Sequence, residues 1–406
     1  MGSLLRIAVR NVVRNRRRSL ITFFAVFLAL GVMVGVRGFL NGLQGSIRQA
    51  IIFGQTGALQ IHKKGFLKSV SASLETDVPA DQAFLAKITA VPHVKAVTPR
   101  IAFGGMANAH DSTSFALFSA IDPVYEMKVC PQRADMISSG KMLADSGPDS
   151  GILARELAAS IGVKVGDKAT ILTNDKDGVM NAADFDFVGA YGQVGLPLPE
   201  KKVGFVPLLF AQKLLRMEGR ATELAVAIDD IDDAERMKPI LQAAVGPEYE
   251  VSTWHDVAAF IDDIIANQNF ILSLLAAIFL FVALLGIANT MLMSVFERTR
   301  EIGTMMAVGV RRRQILGLFL LEAGLLGLGG GIFGVGAGGG FVLWYAKKGI
   351  SLQFAAMERP IHIYPHISVG YVIGVLAVAA LGATLAALWP SLRASRLRPV
   401  EALGAV

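Results

Sequence analysis

Four stretches of this 406-residue chain are almost free of charge: Leu20–Leu40, Phe270–Phe296, Ile315–Tyr345 and Ser368–Trp389. Each supplies the ~20 apolar residues a helix needs to cross a bilayer. The pattern therefore predicts four membrane spans. Between the first and second, residues 41–268 mix short apolar runs with polar turns, as a globular domain does. Gly57–His62 reads as a strand, Pro79–Val91 as a helix and Val94–Phe103 as a strand. Glu223–Ile228, Asp232–Ala244 and Tyr249–Ser252 repeat that order. Two such βαβ-like units around a middle section predict a split ferredoxin-like lobe, about 45–105 and 221–253, with an inserted lobe at about 106–220. In the insert, Ser114–Ile121, Lys168–Leu172 and Val203–Pro207 read as strands, and Ala154–Ile161 as a helix. Thr253 is an N-cap with Asp256 in the first helical turn. With no breaker before Phe270, a stalk helix over 254–269 is expected to run straight into the second span.

Composition agrees: 53% hydrophobic and 18% charged residues with a mean hydropathy of +0.51 exclude an ordinary soluble globular chain. The net charge of +6 is unevenly placed. Asn41–Gln268 holds 21 Lys+Arg against 28 Asp+Glu, a balance of −7, so the remainder carries +13. That surplus follows membrane topology and gives no reason to expect a nucleic-acid partner. Residues 1–18 carry Arg6, Arg10, Arg14, Arg16, Arg17 and Arg18 and no acid. Their apolar positions share one helix face, so the segment reads as an interfacial amphipathic helix on an anionic leaflet. A signal peptide has a similar layout, but the following run is long and lacks an A-x-A-like site, so cleavage is not expected. The positive-inside rule then orders the chain as span 19–40, outer domain 41–268, span 270–296, inner loop 297–314, span 315–345, outer loop 346–367, span 368–389 and inner tail 390–406. Both termini fall in the cytoplasm.

The inner loop Glu297–Gln314 is the most informative stretch. Ile302, Met305, Met306 and Gly309 recur at helical spacing beside Glu297, Arg298, Arg300, Glu301 and Arg311. A short amphipathic helix fixed at both ends by spans can be pushed by a soluble partner. Glu322 is the only acid inside a span, ~14 Å along its helix from Arg313 at ~1.5 Å per residue. It is either a functional carboxylate or a structural one partnered by a span Asn, Thr or Arg. Asn289, with Thr290 and Ser294, is placed to hydrogen-bond across helices. The small-xxx-small pairs Gly327/Gly331, Gly330/Gly334, Gly334/Gly338 and Gly336/Gly340 predict close packing within the chain or between subunits. Gly192–Pro199 is expected to be an exposed loop. Its Val194, Leu196, Pro197 and Leu198 either meet a periplasmic partner or serve a plain connection.

Cys130 is the sole cysteine, so no internal disulfide or zinc cluster is possible, and Pro365 breaks the helix that a His362/His366 metal pair needs. No G-x-x-x-x-G-K-[ST], HExxH or CxxC occurs. The chain is therefore expected to be no enzyme by itself and to hold no cofactor or metal.

The run Glu297-Arg298 followed by Arg300-Glu301-Ile302-Gly303, then Ala307-Val308-Gly309 and three arginines, resembles the coupling segment of the FtsX/MacB-type ABC permeases. Ala8-Val9-Arg10-Asn11-Val12-Val13-Arg14 and the tail Pro399-Val400-Glu401-Ala402-Leu403 resemble the starts and ends of those chains. The resemblance implies an α-helical membrane protein with four transmembrane helices plus a large α+β periplasmic domain, a MacB-like porter-type lobe with an inserted second lobe. A cytoplasmic ABC ATPase in two copies, binding the ATP and Mg that this chain does not, would dock at Glu297, Arg298, Arg300, Glu301, Ile302, Gly303, Met305, Met306, Ala307, Gly309 and Arg311. The partner permease would be a second copy or a related paralogue.

Because the chain begins directly with the basic segment and its outer domain is large, it looks most like the lipoprotein-releasing permeases. Gly38–Gln44 and Gly57–Lys64 add to that likeness. This implies release of lipoproteins from the bacterial inner membrane to a periplasmic carrier or adaptor, with Phe23, Phe24, Phe27 and Val34 lining a lipid-accepting cavity. Mechanotransmission to an efflux duct or a periplasmic partner is the alternative. A signalling or scaffold membrane protein without a transport cycle is the third.

Overall fold

The computed structural model describes residues 2–14, 16–66, 74–192, 202–353 and 360–396. They form two compact units. One comprises Met1–Gln44, Ile265–Ile350 and Ile363–Val406, and the other Gly45–Ile264 with Ser351–His362.

Helix α1 spans Gly2–Arg14 and α2 spans Arg16–Ile51. At 36 residues α2 is ~54 Å long, well beyond the ~30 Å hydrocarbon slab. The helix passes the expected end at Leu40 because Asn41–Ile51 contains no proline and its glycines do not stop it. A π-helical turn, Ile52–Thr56, follows and ends at Gly57, whose φ of +74° suits a residue without a Cβ.

The second unit is built on a 10-stranded sheet. In chain order its elements are β1 (Leu59–Lys63), β2 (Val78–Pro79), α3 (Gln82–Thr89), β3 (Val94–Ala109), β4 (Ser112–Ile121), α4 (Glu126–Val129), β5 (Ile137–Gly140), β6 (Ser150–Ala154) and α5 (Arg155–Ile161). They continue with β7 (Lys168–Asn174), β8 (Met180–Tyr191), β9 (Val203–Pro207), α6 (Leu208–Leu215), β10 (Arg220–Ala221), β11 (Glu223–Ile228), α7 (Ala234–Val245), β12 (Tyr249–Thr253) and α8 (Trp254–Val257). The path is β12-β1-β11-β3-β4-β9-β6-β8-β5, with β7 joining β3 and β8. Its first four strands, all antiparallel, are the split ferredoxin-like order made by β1-α3-β3 and β11-α7-β12. The inserted part is not a detached lobe. β3 pairs with β11 through Val94–Arg100 and with β4 through Arg100–Ala109, so a boundary at 105/106 falls inside one strand. Phe103 and Phe118 stack 5.4 Å apart beneath it, and Phe185 and Phe187 are buried in the same core.

Asp256 accepts the Thr253 N–H at 2.9 Å, but α8 stops after one turn at Ala258, whose φ of −109° and ψ of 37° are not helical. The stalk is therefore interrupted before α9 (Ala259–Glu297) begins. After α9 come α10 (Thr299–Ala307), α11 (Arg312–Lys348), the short strands β13 (Ile350–Leu352) and β14 (Ile361–Ile363), and α12 (Val369–Ser395). Among the described residues, four helices are long and apolar enough to cross a membrane. α12 does not end at Trp389. It continues through Pro390 to Ser395, and Ser391 donates to the Ala387 carbonyl at 2.6 Å.

The glycines of α11 decide how the span unit packs. A Cβ at Gly330 would lie 2.9 Å from the Phe23 carbonyl oxygen, and one at Gly334 2.5 Å from that of Phe27. Gly338 meets the Gly31 carbonyl in the same way, so α2 and α11 touch backbone to backbone. Gly327 faces Ala383 of α12, whereas Gly336 and Gly340 face open space.

Candidate functional site

The candidate site is the turn between α9 and α11. α9 ends at Glu297, Arg298 leaves the helical conformation (φ −108°, ψ 17°), and α10 begins at Thr299. Ile302 and Gly303 are buried and Met305 and Met306 half-buried, all against this chain's own span core, which contains Ile315 and Phe319. The apolar ridge is thus spent on seating α10. What the turn offers outward is Arg300, Glu301, Thr304, Ala307, Val308, Gly309 and Arg311. Val308 is 88% exposed, and Gly309 sits at φ +99°.

A ring of polar groups locks this turn. Arg298, only 7% exposed, donates through Nη1 to Glu322 Oε1 at 3.1 Å and through Nε to Glu301 Oε2 at 2.9 Å. Its guanidinium also lies 5.7 Å from the Phe319 ring centre. Glu322 Oε1 accepts a second bond, from Asn11 Nδ2 at 2.5 Å. Arg14 closes the ring by gripping both oxygens of Glu301 at 2.9 Å. A turn away, Arg18 pairs with Glu297. Burial alone would raise the Glu301 pKa, but the Arg14 and Arg298 hydrogen bonds hold it below the usual carboxylate range.

The ring ties α1, α10 and α11 together. From sequence, Arg14 and Arg18 counted as part of the basic N-terminal segment and Asn11 as part of a family-like stretch, and none of the three was assigned to this turn. The signal available for Asn11 and Arg14 was their i, i+3 spacing on the α1 face that carries Ala8, which is buried, while Ile7, Val9 and Val13 point outward; Arg18 lies on the next helix, α2. α1 is therefore more than an interfacial segment.

The other residues singled out are scattered. Asn289 is exposed on α9, while its neighbour Thr290 shares a 2.6 Å hydrogen bond with Thr22. Val34 is fully buried, and Phe23 and Phe27 lie along the α11 contact, with Phe23 edge-on to Phe333. Only Phe24 of the four first-span residues is largely open, at 52%. Within the single chain these four do not line one common cavity, and the cavity expected of them is one that a second permease subunit would complete. Val194, Leu196, Pro197 and Leu198 lie outside the described residues, as does the tail from Leu397.

Comparison with known proteins gives the site its context. The MacB-like periplasmic core domain matches residues 19–244, and the FtsX-like permease C-terminal domain matches residues 273–399. An uncharacterized ABC transporter permease of Methanocaldococcus jannaschii is 25% identical over 99% of this chain and 98% of its own length. A macrolide export ATP-binding/permease protein MacB of Sodalis glossinidius is 26% identical over 98% of this chain, which spans 60% of that protein. The solved periplasmic region of MacB from Actinobacillus actinomycetemcomitans matches 54% of this chain and 98% of its own at 12% identity and a TM-score of 0.36. The core domain alone covers more than half of the sequence, and the chain belongs to the FtsX/MacB-type ABC transporter permease family.

Proposed function

We propose that this permease converts ATP hydrolysis by a cytoplasmic ABC ATPase into movement of its MacB-like domain on the far side of the membrane. The observation carrying this reading is the locked turn. α10 is fixed to α1 and α11 by Arg298, Glu301 and Glu322, so a push on the outward residues Arg300, Ala307 and Val308 moves three helices together. α9 leads directly away from that turn as one unbroken helix of 39 residues. The ATPase would act in two copies against two permease subunits, with both termini of this chain on its side of the inner membrane. The arginine-rich ends of α1 and α11 support that orientation.

The work done is best read as MacB-like mechanotransmission, driving export of a substrate or activating a periplasmic partner. Lipoprotein release is the second reading. The outward first-span side chains Ile21, Phe24 and Leu28 favour it, since they offer apolar surface to acyl chains. Mild-detergent purification with mass spectrometry of what remains bound tests both. An ATPase whose hydrolysis is stimulated by the chain supports the coupling role. An ATPase accompanied by acylated lipoproteins selects release, and a preparation holding no ATPase refutes the proposal.

A further inference from the structure

Within the span unit, α2, α9 and α12 line a half-open cavity of about 550 Å³. It is lined on its apolar side by Val32, Met33, Leu272 and Phe279, and at one end by Arg37 and Tyr371. This volume falls in the range of small-ligand sites. Arg37 donates to Asn269 Oδ1 at 2.6 Å and lies 5.9 Å from the Tyr371 ring centre. It has no carboxylate partner among the described residues. A guanidinium with five donors, one spent on a neutral amide, beside an apolar cavity asks for an anion attached to a hydrocarbon tail.

Depth narrows the class. Arg37 lies nineteen residues beyond Arg18 on the same helix, ~28 Å at ~1.5 Å per residue. Arg18 belongs to the turn at one face, so Arg37 stands at headgroup level on the other, across a ~30 Å slab. Tyr371, near the start of α12, fits the aromatic belt at the same level. Val32 and Met33 lie about a turn deeper, at acyl depth. We infer that this cavity holds one anionic phospholipid of the outer leaflet, its phosphate on Arg37 and an acyl chain against Val32, Leu272 and Phe279. The lipid would fill the space between spans that no side chain fills, and so would stiffen the outer ends of α2 and α9.

The inference goes beyond the coupling role and does not depend on it. The test is the full chain reconstituted in nanodiscs of equal phosphatidylglycerol and phosphatidylcholine, with retained lipids counted by native mass spectrometry. About one phospholipid per chain is expected, with phosphatidylglycerol favoured about fivefold, the effect of one basic residue at an anionic surface. Arg37→Gln should bring that ratio to one. Arg37→Lys should keep most of it, which separates lost charge from misfolding. Ala276→Phe, filling the cavity, should expel both lipids alike. Equal retention of the two lipids by the unmodified chain, or enrichment that survives Arg37→Gln, overturns the assignment. So does recovery of an acylated protein in place of phospholipid from native membranes, which would make the cavity a cargo site.

Discussion

The sharpest consequence of the polar ring is an energetic coupling between Arg298 and Glu322. Their side chains are 7% and 4% exposed, so neither charge has water to fall back on. Removing one partner of such a pair costs about 3–5 kcal/mol, because the other is left buried and uncompensated. Arg298→Gln leaves Glu322 with the Asn11 donor alone, which puts the expected loss at the low end, about 3 kcal/mol. The contact with half-exposed Glu301 adds little, since exposed pairs contribute ~0–1 kcal/mol. Glu322→Gln keeps an acceptor for Asn11 and leaves Arg298 its Glu301 contact, so the loss should be about 2 kcal/mol, that of one charged hydrogen bond. With both charges gone, the double variant should lose about 2 kcal/mol, well short of the ~5 kcal/mol sum. Reversible unfolding of the full chain in mixed micelles, followed by tryptophan fluorescence, measures all three. Single losses that add to within ~0.5 kcal/mol in the double variant would refute the ring as a coupled unit.

Three further outcomes follow from other parts of the chain. Val308→Asp removes no packing at an 88% exposed site, so stability should stay within ~0.5 kcal/mol while ATPase stimulation drops about tenfold, the effect of desolvating a charge in an interface. Normal stimulation would remove Val308 from the contact. Gly334→Val pushes a side chain into the Phe27 backbone and should cost about 1–3 kcal/mol, whereas Gly336→Val, facing open space, should be neutral; equal losses would contradict the α2–α11 contact. His62 is 1% exposed, both its ring nitrogens lack a hydrogen-bond partner among the described residues, and burial lowers its pKa below 6.5 despite the nearby Glu223 and Glu250 charges. The unfolded chain then takes the proton first, so stability present at neutral pH is lost as pH falls through the unfolded value of ~6.5 toward the lower folded one. Full-chain melts at pH 7.5 and 5.5 should show a drop that His62→Leu removes, and an equal drop in the variant would clear His62 of the effect.

The spans were legible because twenty-residue apolar runs have one physical reading, and the ferredoxin-like order because its period-2 and period-3.6 segments alternate cleanly. The break at Ala258 carried no such signal. Alanine favours helix, and only the structure shows that Trp254, buried at 4% exposure, anchors the turn before it. The end expected at Trp389 erred in the opposite direction, since the proline that follows it removes one late helical hydrogen bond without having to end the helix. At the coupling turn, periodicity showed that Ile302, Met305 and Met306 share a face, but periodicity does not say whose surface covers that face. The answer depended on Arg14 reaching Glu301 across 287 positions, a contact with no local trace. Once that contact is known, the division of labour follows. A nine-residue helix has only two faces, and the apolar one is already seated on its own spans. What α10 and the residue after it leave exposed to a soluble partner is Arg300, Glu301, Thr304, Ala307 and Val308. Under the proposed coupling, force applied there would reach the spans through Ile302 packing and the Arg298 bridge.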